Sequence, residues 1–306
     1  MNRNNSIFLV NKYDLFETTF SEEKIPISKE NEVILEIERY AFTSNNITYG
    51  VIGDTLGYWN FFPAEEPFGI IPVWGFANVT SSKNENILEG DRFYGYFPMS
   101  RYLKVIPKKV NDFGFIDNSN HRRKLPSVYN HYSKIIKYAD ESLEYHPLIK
   151  PLFLTSFLNY FFLQDEKFFD TVLSYNNAEE NLKRSKSVIV DFAGNSDYLK
   201  KLSDHLGEEL KHVSLIGLAD WSSKTNFKSI PNSKFFFAPN HAEKRYREMG
   251  VKRTTLLADD LLKEFIMKIK NYIKLEYCNN SKELHELYLK SLKGKIDPSK
   301  GYMVKN

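Results

Sequence analysis

The chain has 306 residues, of which 42% are hydrophobic and 26% charged, a composition typical of a soluble globular protein. The formal net charge of +3 argues against nucleic acid as a partner, so the basic cluster between Lys244 and Arg253 is interpreted as a solvated face. The single cysteine, Cys278, excludes an intrachain disulfide and a zinc site built from thiolates, so no metal is predicted.

The N-terminal third of the chain has the pattern of a β-rich domain. It lacks the apolar stretch of a secretory signal. Short runs with strand character are separated by Gly, Asn, Pro and Asp clusters. Strands are predicted at Ile7–Val10, Glu32–Tyr40, Ile71–Thr80, Arg92–Tyr96 and Tyr102–Ile106. We expect a compact β-barrel or sandwich, followed by a polar surface excursion over residues 117–145.

The next segment changes from strand character to helical spacing. Leu148–Phe162 repeats its core-facing positions every three or four residues and is predicted to connect the β-rich part to an α/β part. The most apolar window, Pro151–Leu163, is too short to span a bilayer. We therefore expect no membrane partner and a cytoplasmic location. A short strand at Asp170–Tyr175 and a short helix at Ala178–Arg184 follow.

A strand-helix-strand unit is predicted after residue 185. The apolar run Lys186–Phe192 does not alternate, which favours a central parallel strand buried on both faces. Asn195–Ser196 supplies the N-cap of a helix that Gly207 ends. A second buried strand is predicted at Lys211–Gly217.

Ligands of open α/β sheets bind beyond the carboxyl ends of such strands. This rule selects Gly194, Asn195, Gly217 and Leu218 as candidate cofactor-binding residues. Asp191 lies inside the strand and is expected to bond local backbone groups.

The remaining elements alternate between helix and strand. They are a helix from His241, a long helix near Thr255–Tyr272, a strand at Ile273–Tyr277, a helix at Lys282–Leu292 and a terminal strand at Gly301–Lys305. The predicted domains are residues 1–147, residues 148–275, and a C-terminal segment, residues 276–306, that returns toward the first domain.

Several motifs together resemble the medium-chain dehydrogenase/reductase superfamily. They are Phe42–Tyr49 (FTSNNITY), Gly57–Trp59 (GYW), Val73–Ala77 (VWGFA), Gly90–Tyr96 (GDRFYGY), Pro151–Leu158 (PLFLTSFL), Val190–Asn195 (VDFAGN) and Phe235–Pro239 (FFFAP). The resemblance covers nearly the whole chain and is strongest to an uncharacterised, domain-of-unknown-function branch related to zinc-free quinone oxidoreductases.

This resemblance implies a fold, a cofactor and a substrate class. The implied fold is a GroES-like β-barrel domain joined to a Rossmann-like parallel sheet with flanking helices. The implied cofactor, NADPH or NADH, lies between the two domains, and the implied substrate is a small carbonyl or enone compound. Hydride transfer in a metal-free member relies on positioning and on a donor to the developing oxyanion.

The first part of the Rossmann-like domain is missing from this sequence. Only Leu163–Phe169 separates the predicted helix from the strand at Asp170–Tyr175, so roughly 50 residues that form a strand-helix-strand unit and a further helix are absent. No two glycines are separated by a single residue, which excludes the Gly-x-Gly phosphate-binding fingerprint. Each lost backbone bond to a pyrophosphate removes about 1.5–3 kcal/mol. Binding of NADPH or NADH is therefore predicted to be impaired.

The missing strands leave two alternatives for the parallel sheet. The strands at Asp170–Tyr175 and Lys186–Phe192 either pair directly in a shrunken four-strand sheet, or the second of them is left at an open edge. An exposed apolar edge pairs readily with another chain, so the second alternative predicts a homodimer.

Four residues of the N-terminal domain are candidate site residues. The resemblance implies that Tyr49 and Tyr58 lie in a loop facing the nicotinamide, where a phenol donates to a substrate carbonyl. The alternative is that both are core aromatics. Asn45 and Asn46 either orient the substrate or the nicotinamide amide, or are turn residues that tolerate left-handed dihedrals.

Two functions remain open. The first is a reductase-like enzyme that acts on a small carbonyl or enone with NAD(P)H and is impaired by the missing segment. The second is a non-catalytic binding or assembly protein that kept the cleft. The motifs of nucleophilic hydrolases, zinc proteases and P-loop proteins are absent from the sequence.

Overall fold

The computed structural model describes residues 4–135, 141–153, 178–217 and 230–306. The chain divides into two compact units. Unit 1 comprises Met1–Phe153 and Leu256–Asn306, and unit 2 comprises Leu154–Thr255. The domain limits predicted from the sequence remain a prediction. No helix among the described residues combines the length and the apolarity needed to cross a bilayer.

The described strands and helices include most of the predicted ones and several that the sequence patterns did not indicate. The strands are β1 Asn5–Asn11, β2 Thr18–Glu23, β3 Val33–Phe42, β4 Phe68–Gly69, β5 Pro72–Ser82, β6 Arg92–Pro98, β7 Tyr102–Val105, β8 Pro107–Asn111, β9 Gly114–Asp117, β10 His131–Lys134, β11 Ser187–Asp191, β12 Leu210–Leu215, β13 Ser233–Phe235, β14 Lys274–Cys278 and β15 Lys300–Lys305. The helices are α1 Ser44–Val51, α2 Gly53–Leu56, α3 over residues 146–153 of the described part, α4 Ala178–Asn181, α5 Ser196–Leu206, α6 Ala238–Met249, α7 Val251–Ile269 and α8 Ser281–Leu292.

Unit 1 is built on a large mixed sheet. Its strand order is β14-β15-β3-β5-β6-β10-β9-β8, with β7 also paired to β3, and β2-β1-β4 forms a second, smaller sheet. The C-terminal strand β15 pairs antiparallel with β3, which places Met303 opposite Ala41. The prediction of a β-rich domain joined to a parallel sheet is confirmed, whereas closure of the large sheet into a barrel remains a prediction.

Helices α3 and α7 pack on this sheet through one hydrophobic cluster. Its buried members are Ala41, Leu148, Ile149, Leu262, Ile266 and Met303. Burying a side chain of this size contributes about 1.5–3 kcal/mol, so the cluster fixes α3 over the end of β3. The pocket described below is lined in part by α3.

The prediction of a surface excursion over residues 117–145 is wrong. Strand β10 lies within this segment and pairs with both β6 and β9 in the large sheet. Tyr132 of β10 is 0% exposed, and its ring lies where a side chain on Gly95 would otherwise stand, 2.4 Å from an ideal Cβ. The sequence pattern missed the strand because it has only four residues, too few to display a period.

A buried cation holds this segment in place. The guanidinium of Arg122, which is 0% exposed, donates to Asp117 Oδ2 at 3.2 Å, Asn130 Oδ1 at 2.9 Å, Tyr132 Oη at 2.7 Å and the Tyr129 carbonyl at 2.6 Å. Its charge is neutralised by Asp117, itself 2% exposed. A buried ion pair with so many additional bonds depends on both partners, because either one alone is an uncompensated charge.

Unit 2 contains a parallel sheet in the order β11-β12-β13. Helix α5 connects β11 to β12 and packs on the sheet through Leu199 and Leu206. The prediction that β11 is buried on both faces is wrong, since four of its five residues are only half-buried. The predicted strand at Asp170–Tyr175 lies outside the described residues, so the shrunken sheet and the homodimer both remain predictions.

Replacement of Arg122 by Met tests the role of the buried cation. We expect Arg122→Met to lower the free energy of unfolding by about 3–5 kcal/mol, because Asp117 is left buried without its counter-ion. Arg123 is the matched control, since it is exposed, and Arg123→Met should change stability by less than about 0.5 kcal/mol. Urea unfolding of both variants provides the measurement, and equal effects would contradict this account.

Candidate functional site

A pocket opens in unit 1 where α1 begins. It is a shallow depression, and the space in and in front of it, adjoining solvent included, is about 230 Å³. Its walls come from the end of β3, the start of α1, β5 and α3, and the lining residues are Ala41, Thr43, Asn45, Asn46, Trp74, Pro147, Leu148, Pro151 and Leu152. Polar and apolar atoms contribute equally to its exposed lining.

Asn46 holds the pocket wall together. Its Oδ1 accepts from the Thr43 backbone N–H at 2.7 Å, and its Nδ2 donates to the Pro72 carbonyl at 2.9 Å. The first bond closes the start of α1, and the second ties that helix to β5. Both ends of the Asn46 amide are thus used within the protein, and α1 is helical rather than the turn that the sequence alternative assumed.

Tyr49 and Tyr58 lie next to each other in an aromatic cluster. Each is 6% exposed, and their ring centroids are 4.5 Å apart. Tyr49 is in α1 and Tyr58 opens a 3₁₀ turn, so neither lies in an open loop. The Tyr58 hydroxyl is 3.3 Å from the hydroxyl of Tyr129. Both are therefore core aromatics, as the alternative proposed, and their catalytic role remains a prediction.

Polar groups converge on the Tyr49 hydroxyl. Asn45, Trp74 and Tyr96 interact with it and favour its ionised form, but burial is the larger effect and raises the pKa of Tyr49 far above its ordinary value. Trp74 Nε1 and the Tyr96 hydroxyl are buried and have no hydrogen-bond partner among the described residues. Buried donors without partners are rare in native proteins, and each requires an explanation.

Tyr94 extends this group of donors. Its ring stacks on Trp74 at 5.5 Å with an interplanar angle of 17°. Its hydroxyl is likewise buried without a partner in the described part of the chain. Lys150 Nζ lies 5.5 Å from the centroid of the Tyr94 ring and 2.8 Å from Asp259 Oδ1, so the nearby positive charge is already neutralised.

This arrangement favours hydrogen-bond donation over proton abstraction. Burial raises the pKa values of Tyr94 and Tyr96 well above their ordinary value, so both phenols stay protonated at physiological pH. Trp74 donates only. Fixed neutral donors in an apolar site bind an oxygen acceptor and stabilise negative charge that develops on it.

In the turn between β11 and α5, the backbone N–H groups donate to a side chain of the same turn. Asp191 Oδ1 accepts from the backbone N–H groups of Ala193 and Gly194, both at 3.1 Å, and its Oδ2 accepts from Gly194 at 3.0 Å. Burial raises the pKa of Asp191, and these bonds offset part of the effect. The carboxylate occupies the position that an anionic ligand would take on these amides.

The other predicted cofactor-binding residues also have internal contacts. Asn195 Oδ1 accepts from the Tyr198 N–H at 3.0 Å and caps α5 as predicted. A Cβ on Gly217 would lie 2.5 Å from the Phe192 carbonyl oxygen, so this glycine is needed for a close approach of two backbone segments. Leu218 lies outside the described residues. The described end of the parallel sheet does not fit a diphosphate, because its turn already holds an anion.

Trp74 and Tyr96 are the residues that the sequence reasoning missed as site candidates. Both lie within motifs that supported the family resemblance, VWGFA and GDRFYGY. Their signal was weak, since aromatic residues in strands are ordinary core residues. Only the pairing of β5 with β6, which sets Trp74 opposite Tyr96, brings their polar groups together.

Replacement of Asp191 by Asn tests the internal anion. A raised pKa means that Asp191 favours the folded state below its ordinary pKa of 3.8 and that this contribution is lost as the pH rises through the folded-state pKa. Asp191→Asn keeps an acceptor oxygen and removes the buried charge. We expect the variant to gain stability relative to the wild type as the pH is raised from acid to neutral, as measured by thermal unfolding.

Asp197→Asn is the control for this comparison. Asp197 is exposed in the first turn of α5, where a negative charge is favourable, so its replacement should cost a few tenths of a kcal/mol at neutral pH. If both variants were less stable than the wild type at neutral pH, the charge of Asp191 would not be destabilising the folded state.

Solved structures with a similar fold include CurA and an enoyl thioester reductase. CurA from Vibrio vulnificus matches with 12% identity over 99% of each chain and a TM-score of 0.59. CurA from the same organism in complex with NADPH matches with 11% identity over 94% of each chain and a TM-score of 0.57. A mutant form of enoyl thioester reductase from Candida tropicalis matches with 11% identity over 99% of this chain and 100% of that chain, with a TM-score of 0.51. The fold that the motifs predicted is confirmed.

The family comparison agrees with the predicted branch. A search of curated proteins gives no match. The model of the family described as protein of unknown function (DUF2855) matches residues 40–169 and 159–297, which together make up most of the chain. The chain therefore belongs to the DUF2855 family.

Proposed function

We propose that this chain is a reductase-like protein that binds a small carbonyl or enone compound in the pocket at the start of α1. The observation that carries the proposal is the set of buried donors around Trp74 that have no partner among the described residues. A carbonyl oxygen has two lone pairs and accepts from donors of this kind. The reductase fold supports the same ligand class by analogy.

We assign Tyr49 as a further donor, because its hydroxyl interacts with Asn45 and Trp74, which line the pocket. Its raised pKa keeps the phenol protonated, so it serves as a donor to the carbonyl oxygen and not as a base. Asn45 lies on the pocket wall and orients the ligand. Tyr58, whose hydroxyl meets that of Tyr129, supports the Tyr49 ring.

Affinity for NADPH or NADH is weak in this proposal. The missing segment removes the phosphate-binding turn, and Asp191 occupies the amides of the remaining turn. The two family-model matches overlap at residues 159–169, which include Leu163–Phe169, where the sequence places the missing segment. Loss of three or four backbone bonds reduces micromolar binding, about −8 kcal/mol, to millimolar or weaker.

A non-catalytic binding protein is the second candidate, and the filled turn at Asp191 favours it. Both candidates share the carbonyl pocket. They differ in turnover, because only a reductase consumes NADPH when an enone is added. Measurement of NADPH oxidation at millimolar cofactor with 2-cyclohexen-1-one separates them.

Titration with NADPH tests the proposed function. We expect 0.1 mM NADPH to leave the midpoint of thermal unfolding unchanged, because a millimolar dissociation constant gives almost no stabilisation at this concentration, about 0.06 kcal/mol. A dissociation constant of about 1 µM would instead add about 2.7 kcal/mol. We also expect 2-cyclohexen-1-one to bind saturably in the millimolar range, as measured by NMR titration.

Two results would contradict the proposal. Micromolar binding of NADPH, seen as a large thermal shift and as enhanced nucleotide fluorescence, would identify an ordinary reductase. Failure of the enone to bind at any concentration up to its solubility would show that the pocket is not a carbonyl-binding site.

A further inference from the structure

We infer that the outer edge of β2 pairs with β2 of a second copy of this chain, antiparallel and about a two-fold axis. Strand β2 lies at the end of the smaller sheet of unit 1, in the order β2-β1-β4, and has no further strand beside it among the described residues. An edge strand presents a row of backbone N–H and C=O groups to any chain that pairs with it. This inference does not depend on the ligand of the pocket beside α1.

The backbone bonds of β1 show which groups of β2 face outward. The Phe8 N–H donates to the Met99 carbonyl at 2.8 Å, on the side of β1 away from β2. Because alternate residues of an antiparallel strand bond to opposite sides, Phe8 and its register partner Phe20 do not bond to each other. The N–H and C=O groups of Thr18, Phe20 and Glu22 therefore point away from β1.

The two ends of the large sheet, in contrast, carry features that discourage pairing. Strand β8 begins with a proline, carries exposed lysines and has an irregular register in which Lys109 adopts a positive φ of 55°. Beside β14, the Tyr145 hydroxyl donates to the Ile273 carbonyl at 3.3 Å, and the Tyr277 carbonyl accepts from an asparagine side chain at 3.2 Å. Strand β2 has six residues without a proline, and its register with β1 is unbroken.

The side chains of β2 match their own copies across a two-fold axis at Phe20. The Phe20 ring is 37% exposed and lies 5.0 Å from the ring of Phe8. Pairing about this residue sets Phe20 against Phe20 of the second copy and extends the aromatic row across both chains. It also sets the Thr18 hydroxyl opposite the Glu22 carboxylate of the second copy. A two-fold pair closes on itself, so neither copy keeps an open edge at β2.

The residues at the ends of β2 fit a weak dimer. The register places Lys24 beside Phe16 of the second copy, an exposed aromatic ring that attracts a cation. It also places Glu17 opposite Glu23 of the second copy, two like charges, although Glu17 already accepts from the Asn11 side chain at 2.6 Å. One short strand buries less area than a stable dimer needs, so the dimer forms only at high concentration.

Amide hydrogen exchange of the wild-type protein at two concentrations tests the inference. With a dissociation constant of about 0.1 mM, the protein is mostly monomeric at about 10 µM and mostly dimeric at about 1 mM. We expect exchange at the Phe20 and Glu22 amides to be about fourfold slower at the higher concentration, because these N–H groups become bonded. Exchange at the Thr19 and Ser21 amides, which face β1, should not change. Sedimentation velocity should show the mean mass rising toward that of a dimer.

Two replacements of one residue separate edge pairing from other contacts. Glu22→Pro removes an outward N–H and leaves the bonds to β1 in place, as a proline does at a sheet edge. We expect this variant to stay monomeric at the higher concentration. Glu22→Ala is the matched control, because it keeps the N–H, and it should associate as the wild type does. Circular dichroism and thermal unfolding show whether both variants fold.

Three outcomes would overturn the inference. If the wild-type protein stays monomeric at the higher concentration, the edge of β2 is empty or serves another partner. If Glu22→Pro associates as strongly as Glu22→Ala, the dimer uses another surface. If the Phe20 amide exchanges slowly at both concentrations, the chain itself covers the edge. The exchange measurement uses the wild-type protein and does not depend on the folding of any variant.

Discussion

The buried guanidinium of Arg122 holds together the segment from Asp117 to Tyr132, on which the candidate site depends. It accounts for four acceptors at once, and its partner Asp117 is equally buried, so the segment around it has one low-energy arrangement. One of its bonds goes to the Tyr129 carbonyl, and the Tyr129 hydroxyl in turn meets that of Tyr58. Tyr58 packs against Tyr49. This series of contacts connects Arg122 to the candidate site, although Arg122 itself does not line the pocket.

The same rule, that buried polar groups need partners, distinguishes two parts of the molecule. At the turn after β11 the carboxylate of Asp191 satisfies the backbone amides, and the turn is complete without a ligand. At the pocket beside α1 the donors of Trp74 and Tyr96 stay unsatisfied within the described chain. The turn after β11 therefore needs no ligand to be complete, whereas the pocket beside α1 lies next to the donors on which the proposed carbonyl site rests.

Sequence patterns predicted the regular elements well where they are long or capped. Asn195 and Gly207 marked both ends of α5, and the C-terminal strands and helices fall close to their predicted limits. The patterns failed for β10, which is too short to have a period, and for the burial of β11, because a continuous apolar run does not say how many layers cover it. Tyr49 was selected as a candidate through the family resemblance, and its role remains a prediction. Trp74 was missed, since an unsatisfied donor is a property of three-dimensional packing and leaves no mark on the sequence.

The central proposal is that the pocket at the start of α1 binds a carbonyl compound while no dinucleotide binds with ordinary affinity. Crystals soaked with 2-cyclohexen-1-one and NADPH together test both halves of it. The account predicts the enone in this pocket, and Asp191 still bonded to its own turn with no nucleotide beside it. An ordered NADPH with its diphosphate on the amides of Ala193 and Gly194, or an enone bound elsewhere, would contradict it.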